Sequence, residues 1–233
     1  MNKAPRDGGD PHSPPAPEES PPAATRASPG GFDPGPLAPY DQGLTDEGLM
    51  GSEAMIRLKE MHLAPYIQLA TTLVGKRRRS GGNMFRHQID TFGILMDYGY
   101  IDSVLLKASV IHDLLEDVPE FDRDDILSID EESSEVYKLV LEVTRRPIET
   151  KPQFLERIQR FGSKRSKVLK CADRISNMIA LGYVTDVRFI KRYTDETEAL
   201  IFPIAQSADK RMLEELQELV ASRREYLARM FEI

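Results

Sequence analysis

Cysteine is almost absent from this 233-residue chain, in which Cys171 is the only one. An intrachain disulfide is therefore excluded, which is typical of proteins from a reducing compartment. The chain also lacks any run of about 18 apolar residues, so we expect no membrane span. Its first residues, MNKAPRDGGD, do not contain the apolar stretch of a secretory signal peptide. These absences together predict a cytoplasmic protein.

An excess of basic residues is lacking as well, because the formal net charge is −7 at pH 7. Residues 1–48 carry eight acidic and three basic side chains, so the remainder of the chain is close to neutral. A general nucleic-acid binder needs a basic surface to neutralise phosphates. We therefore predict no general nucleic-acid binding.

Apolar residues are scarce near the N-terminus, where residues 1–48 hold 11 of the 16 prolines and no apolar run longer than a pair. Such a segment cannot offset the entropy lost on ordering its backbone. The sequence therefore predicts a disordered Pro/Gly-rich tail over residues 1–48 and one folded domain over residues 49–233.

Alternating strand patterns are scarce after the tail, and helical periodicity dominates. Residues 103–117 are apolar nearly all round, which predicts one continuous, buried, central helix. Gly99 is predicted to end the helix before it, and Pro65 to break the first helical stretch, 53–74. Further helices are predicted within 84–99, 122–127, 133–146, 151–161, 164–182, 186–206 and 210–232. We expect an all-α fold, a compact bundle of about eight helices.

The segment IHDLLED places four polar residues on the helix predicted over 103–117. Burying an ionised carboxylate costs on the order of several kcal/mol unless a partner compensates its charge. A metal ion is the strongest such partner for His112 and Asp113. Glu116 and Asp117 follow four residues later, so a continuous helix would set them one turn above that pair.

Two residues on other predicted helices suit the same site, namely His87, between apolar neighbours, and Asp173, within KVLKCADRISNM. Two imidazoles and two carboxylates suit Mn²⁺, Fe²⁺ or Zn²⁺ rather than a thiolate-binding metal, and leave positions for water and substrate. Such an ion activates water and polarises a phosphoryl oxygen, while Glu116 or Asp117 can take the proton. The basic loop 76–82 offers cations to a phosphate.

Each of these residues also has a purely structural interpretation. His87 alone is typical of a hydrogen-bonded core histidine, and Asp173 could pair with Lys170 or Arg174. Basic runs such as 76–79 are usually solvated surface. One metal ion, however, satisfies four buried polar groups at once, whereas the structural interpretation needs a separate partner for each.

Three segments carry a resemblance to a known family: RRRSGGNMFRH (77–87), ASVIHDLLED (108–117) and KVLKCADRISNM (167–178). They resemble the HD-type hydrolase domain of the RelA/SpoT family, including its small stand-alone alarmone hydrolases. The resemblance extends over roughly residues 52–206 and implies an HD-domain helical bundle. The chain departs from the family pattern at Leu73–Lys76, Gly82–Met84, Gln88 and Ile179, outside the presumed metal and catalytic positions.

The resemblance implies a reaction and a role for each matching residue. The family removes the 3′-pyrophosphate from guanosine tetra- or pentaphosphate (ppGpp or pppGpp). By resemblance, the ion would be Mn²⁺, with Fe²⁺ or Zn²⁺ less favoured, and it would be bound by His87, His112, Asp113 and Asp173. The catalytic acids would be Glu116 and Asp117. The nucleotide would be contacted by Arg78, Arg79, Ser80 and Asn177.

Other functions stay open at this point. The same fold could act on another nucleotide, on the phosphate of a dinucleotide cofactor such as NADPH, or on a pyrophosphorylated RNA end. A different class is a non-catalytic, antitoxin-like partner that neutralises a toxic synthetase by contact. The intact pair Glu116 and Asp117 argues against that class, and the sequence identifies no synthetase partner.

Overall fold

The computed structural model describes residues 52–231, with side chains described for residues 56–230. In this part of the chain the helices are joined by loops and no β-strand is present. One isolated β-bridge links Arg77 and Asn83. The predicted all-α bundle is thereby confirmed. The tail predicted over residues 1–48 lies outside the described residues.

The helices are more numerous and shorter than the sequence pattern predicts. In chain order they are α1 (Ser52–Glu60), α2 (Ala64–Ala70), α3 (Met84–Asp97), α4 (Ser103–Ser109), α5 (Leu114–Asp117), α6 (Arg123–Leu127), α7 (Ser133–Val143), α8 (Lys151–Phe161), α9 (Lys164–Ala180), α10 (Val187–Glu196), α11 (Phe202–Ala208) and α12 (Lys210–Phe231). A π-helical turn, Thr197–Ile201, joins α10 to α11. No helix among the described residues is both long and apolar enough to cross a membrane.

Side-chain caps explain where the helices that carry the site begin. Asn83 accepts a hydrogen bond from the backbone N–H of Arg86 at the start of α3, and Ser163 caps α9 in the same way. These bonds satisfy N–H groups that have no partner within the helix. At the other end of α3, Gly99 has a φ of +77°, the left-handed conformation that glycine adopts after a helix.

Helix α9 is the centre of the bundle. It packs against α3, α4, α7, α8, α11 and α12. Most of its side chains are buried, and they include the polar residues Asp173, Arg174 and Ser176. A helix surrounded in this way is expected to be apolar, so each buried polar group on it needs a specific partner.

The stretch predicted as one helix over 103–117 is interrupted between α4 and α5. The carbonyl of Ser109 accepts a hydrogen bond from His112 Nδ1 at 2.7 Å. The N–H of Asp113, which would use that carbonyl in a regular helix, faces Gln88 Oε1 at 3.4 Å. Side-chain hydrogen bonding at the site therefore replaces the helical bond, which is why the prediction of a continuous helix is wrong.

A buried lysine on α4 forms ion pairs with two carboxylates of the loop before α7. Lys107 Nζ lies 2.8 Å from Asp130 Oδ2 and 2.6 Å from Glu132 Oε2. Burial raises the pKa of each carboxyl, but the hydrogen bonds from Lys107 outweigh it, so the pKa of both lies below its usual range. This network ties α4 to the loop before α7.

Candidate metal centre and phosphate cleft

The two histidines and two aspartates predicted as metal ligands lie close together, with each aspartate facing both histidines. His87 comes from α3, His112 and Asp113 from the break between α4 and α5, and Asp173 from α9. His87 Nε2 lies 3.0 Å from Asp173 Oδ1 and 3.5 Å from Asp113 Oδ2. His112 Nε2 lies 3.3 Å from Asp113 Oδ2 and 3.9 Å from Asp173 Oδ1. One nitrogen or oxygen of each residue thus faces the same small volume.

The far nitrogen of each imidazole is held by a fixed partner. His87 Nδ1 lies 2.9 Å from Ser176 Oγ, and His112 Nδ1 donates to the carbonyl of Ser109. A carbonyl only accepts, so Nδ1 of His112 carries a proton and Nε2 is the atom that could bind a metal ion. Such bonds orient metal-binding histidines and set their tautomer.

The spacing of the four atoms suits a divalent cation. Ligands about 2.1 Å from one ion lie about 3.0 Å apart at a right angle and about 3.4 Å apart at a tetrahedral angle. The four histidine–aspartate separations, 3.0 to 3.9 Å, fall around these values. The ligand atoms of His87, His112 and Asp173 all lie within 4.8 Å of one another, whereas Asp113 falls outside that group of three. His112 Nε2 is also buried without a hydrogen-bond partner among the described residues. The residues therefore fit a bound metal ion, and His87, His112 and Asp173 form a candidate metal-binding group.

The carboxylates dominate the electrostatics of the site. Burial lowers the pKa of His112, but the carboxylates of Asp113 and Asp173 outweigh burial and raise that pKa to about 9. Burial likewise raises the pKa of Asp173, while Lys170, His112 and His87 hold it well below its usual range. The negative potential that raises the pKa of His112 also favours a cation at this position.

The remaining carboxylate bonds come from three nearby side chains. Lys170 Nζ lies 2.7 Å from Asp173 Oδ2, the oxygen that does not face His87. Asn177 donates to Asp173 Oδ1 at 2.5 Å, and Gln88 donates to Asp113 Oδ2 at 3.0 Å. These groups fix both carboxylates in place, as partners of metal ligands do.

A cleft of about 490 Å³ opens beside the four residues. Basic side chains dominate its wall, namely Arg77, Arg78, Arg79, Arg145, Lys151, Lys170 and Arg174. Aromatic rings of Phe154, Phe189 and Tyr193 line it too. A concave, cationic wall with aromatic faces suits a ligand that carries several phosphates and a planar ring.

The four residues predicted to contact substrate lie along this cleft. Arg78 donates to Asn177 Oδ1 at 2.8 Å, so the basic loop is tied to α9. The guanidinium of Arg79 stacks 4.2 Å from the ring centre of Phe189 and pairs with Asp186 at 2.5 Å. Ser80 borders the cleft at the turn of the same loop.

The two predicted catalytic acids differ in position. Glu116 lines the cleft, and its Oε1 accepts a hydrogen bond from the backbone N–H of Arg145 at 2.5 Å. Asp117 is half-buried and is not among the described residues that line the cleft. Burial and the carboxylates of Asp113 and Glu116 raise the pKa of Asp117. The break in the helix precedes Asp113, and the N–H of Asp117 donates to the carbonyl of Asp113 at 3.0 Å, so one helical turn separates these two aspartates.

Several residues at the site were not predicted from the sequence. Arg145 and Lys151 lie in or beside the α7–α8 loop, far along the chain from the basic loop. Lys170 was considered only as an alternative partner of Asp173, and it is that partner. Arg174 instead pairs with Glu196 and Thr197, both 2.8 to 3.0 Å away. In the sequence, each of these residues is a basic residue beside an apolar helical stretch. That pattern is common on protein surfaces, so it did not indicate a functional site.

Comparison with known proteins supports the fold. No protein-family model matches the chain, and no curated protein matches it by sequence. Among solved structures, the chain is similar to a metazoan ortholog of SpoT, described as a protein that hydrolyzes ppGpp and plays a role in starvation responses. The two share 22% identity with a TM-score of 0.59, and the match covers 69% of this chain and 94% of that one. The chain therefore shares the fold of that protein.

Proposed function

We propose that the chain is a metal-dependent pyrophosphohydrolase that removes the 3′-pyrophosphate from ppGpp and pppGpp. The observation that carries the proposal is the convergence of His87, His112, Asp113 and Asp173 beside a cleft lined by cations. The shared fold with a ppGpp-hydrolysing protein supports the substrate.

We propose Mn²⁺ as the metal, held by the two imidazoles and two carboxylates. A set of nitrogen and oxygen donors without thiolate suits Mn²⁺, and it also accepts Fe²⁺ and Zn²⁺. When bound, such an ion lowers the pKa of water and polarises a phosphoryl oxygen. A cytoplasmic location stays a prediction from the sequence.

The side chains around the ion position the reactants and move the proton. Arg78 and Arg79 orient the phosphates, while Asn177 fixes both Arg78 and Asp173. The oxygen of a water molecule bonds to the phosphorus atom that is attached to the 3′-oxygen. The bond between that phosphorus and the 3′-oxygen breaks, which releases pyrophosphate. Glu116, with Asp117 beside it, takes the proton of that water and returns it to the leaving 3′-oxygen.

A product assay with a substrate panel tests the proposal. The purified chain is incubated with ppGpp, NADPH or a pyrophosphorylated RNA end, each with Mn²⁺, Fe²⁺, Zn²⁺ or a chelator. We expect GDP and pyrophosphate from ppGpp, with Mn²⁺ giving the highest rate. Intact ppGpp beside cleavage of another substrate would overturn the alarmone assignment while keeping the hydrolase class.

No observation favours the antitoxin-like alternative. The double variant Asp117→Ala and His112→Ala separates it from the enzyme, because a contact inhibitor needs neither side chain. If the chain is an enzyme, we expect this variant to lose ppGpp cleavage while it keeps its helical content by circular dichroism.

A further inference from the structure

The loop between α7 and α8 (residues 144–150) is tied down by one arginine from α8. Arg157 NH1 donates to the carbonyl of Glu142 at 2.9 Å, and its NH2 donates to the carbonyl of Thr144 at 2.9 Å. The same guanidinium forms a fork with Glu149, at 2.7 and 3.1 Å. The side chains of Arg157 and Glu149 are only 18% and 12% exposed, so these charge-assisted bonds are shielded from solvent.

One peptide group connects this arginine to the cleft. The carbonyl of Thr144 and the N–H of Arg145 belong to the same peptide plane. Its oxygen accepts from Arg157, and its N–H donates to Glu116 Oε1. Because a peptide is planar, holding the oxygen fixes the direction of the N–H. Aligned hydrogen bonds also polarise one another, so the positive guanidinium strengthens the bond that Glu116 receives.

The fork partner holds the next peptide of the loop. Glu149 Oε2 accepts a hydrogen bond from the N–H of Arg146 at 3.0 Å. The peptides on both sides of Arg145 are therefore anchored to the same ion pair. Arg157 itself is not among the described residues that line the cleft, so it acts at a distance from any ligand there.

We propose that Arg157 is a positioning residue, which sets the carboxylate of Glu116 through the Thr144–Arg145 peptide. The inference rests on the proposed function, in which Glu116 handles the attacking water. Lysine cannot replace this arginine, because one ammonium group cannot reach two carbonyls and a carboxylate in a fixed fork.

A kinetic double-mutant cycle tests the coupling. Arg157→Lys is expected to lower kcat for ppGpp about tenfold, part of the 10²–10⁴-fold effect typical of a general base, and to change KM less than about twofold. In the Glu116→Gln background, the same substitution should alter the residual rate less than about twofold. An equal loss in both backgrounds contradicts the proposal.

Arg165→Lys is the control, since Arg165 also donates two N–H groups to a carboxylate, here to Oδ2 of Asp102 at 2.7 and 3.0 Å, and is not among the described residues that line the cleft. We expect this variant to keep wild-type kcat. A loss as large as that of Arg157→Lys would mean that breaking any arginine fork impairs the enzyme, and would refute a specific role for Arg157.

Amide hydrogen exchange at Arg145, followed by NMR, gives a readout independent of activity. Exchange is expected to be about tenfold faster in Arg157→Lys, as for the loss of one charge-assisted hydrogen bond, and unchanged in Arg165→Lys. Unchanged exchange in Arg157→Lys overturns the positioning of this peptide, even in an active enzyme. A wild-type protein that cleaves no substrate refutes the proposed function, and the role in catalysis with it.

Discussion

Replacing His112 by glutamine tests the metal centre without using activity. The substitution keeps a side chain of similar length in the buried space but removes one of four converging ligand atoms. An ion that binds only the folded chain stabilises it by about 2.7 kcal/mol at a concentration 100 times its Kd. For a domain of this size, that corresponds to a rise in Tm of about 5–11 °C.

The variant is expected to lose most of this rise. If the missing ligand weakens binding about 100-fold, the same Mn²⁺ concentration equals the new Kd and adds only about 0.4 kcal/mol, or about 1 °C. Without metal, the variant should unfold about 1–3 kcal/mol more easily, because two carboxylates lose the imidazole they share. Scanning calorimetry with Mn²⁺ and with chelator measures both effects.

His62→Gln is the control for this experiment, since His62 is an exposed histidine outside the candidate centre. It should show the full rise in Tm with Mn²⁺. A wild-type protein whose Tm ignores divalent ions, or a His112→Gln variant that responds like wild type, would refute a metal centre at these residues.

The other predictions concern the cleft and the bundle. Arg78→Ala should raise KM for the nucleotide about tenfold and change kcat less than about threefold in steady-state assays, because a charge-assisted phosphate contact is lost. Lys107→Met should lower the free energy of unfolding by about 3 kcal/mol at pH 7. The two carboxylates that Lys107 binds have a lowered pKa in the folded state, so their contribution is present above about pH 5 and is lost as the pH falls below about 4. Urea titrations should therefore show the difference from wild type shrinking in acid. Gly162→Ala should cost about 1–3 kcal/mol, since its Cβ would lie 2.5 Å from a carbonyl oxygen, whereas Gly93→Ala, with open space in α3, should add about 0.5–1 kcal/mol. Equal unfolding midpoints for these two glycine variants would contradict the packing described.

The helical architecture was predictable because apolar periodicity and capping residues agree along most of the chain. The helices predicted from residues 84 and 164, for example, begin at those residues, where Asn83 and Ser163 cap them. The convergence of His87, His112 and Asp173 followed from a simple consideration, since polar side chains on apolar helices need a common partner. The structure brings these three together as a candidate metal-binding group.

The rest depends on contacts between distant parts of the chain. Nothing in the apolar stretch 103–117, which contains neither glycine nor proline, signals the break after Ser109. That break arises from the His112 side chain and from Gln88 on another helix. The bond between Glu116 and the backbone of Arg145 has no sequence signal either, because any residue can supply a backbone N–H.

The two oxygens of the Asp173 carboxylate have different partners, and this difference limits which ions the candidate centre can bind. One oxygen faces the histidines, and the other is occupied by Lys170. This aspartate therefore offers a single bond to an ion and cannot chelate it with both oxygens. Calcium requires about six to eight oxygen ligands and often takes both oxygens of a carboxylate, so the lysine disfavours it at this site. We therefore expect the ammonium group of Lys170 to disfavour Ca²⁺ relative to smaller divalent ions at this candidate centre.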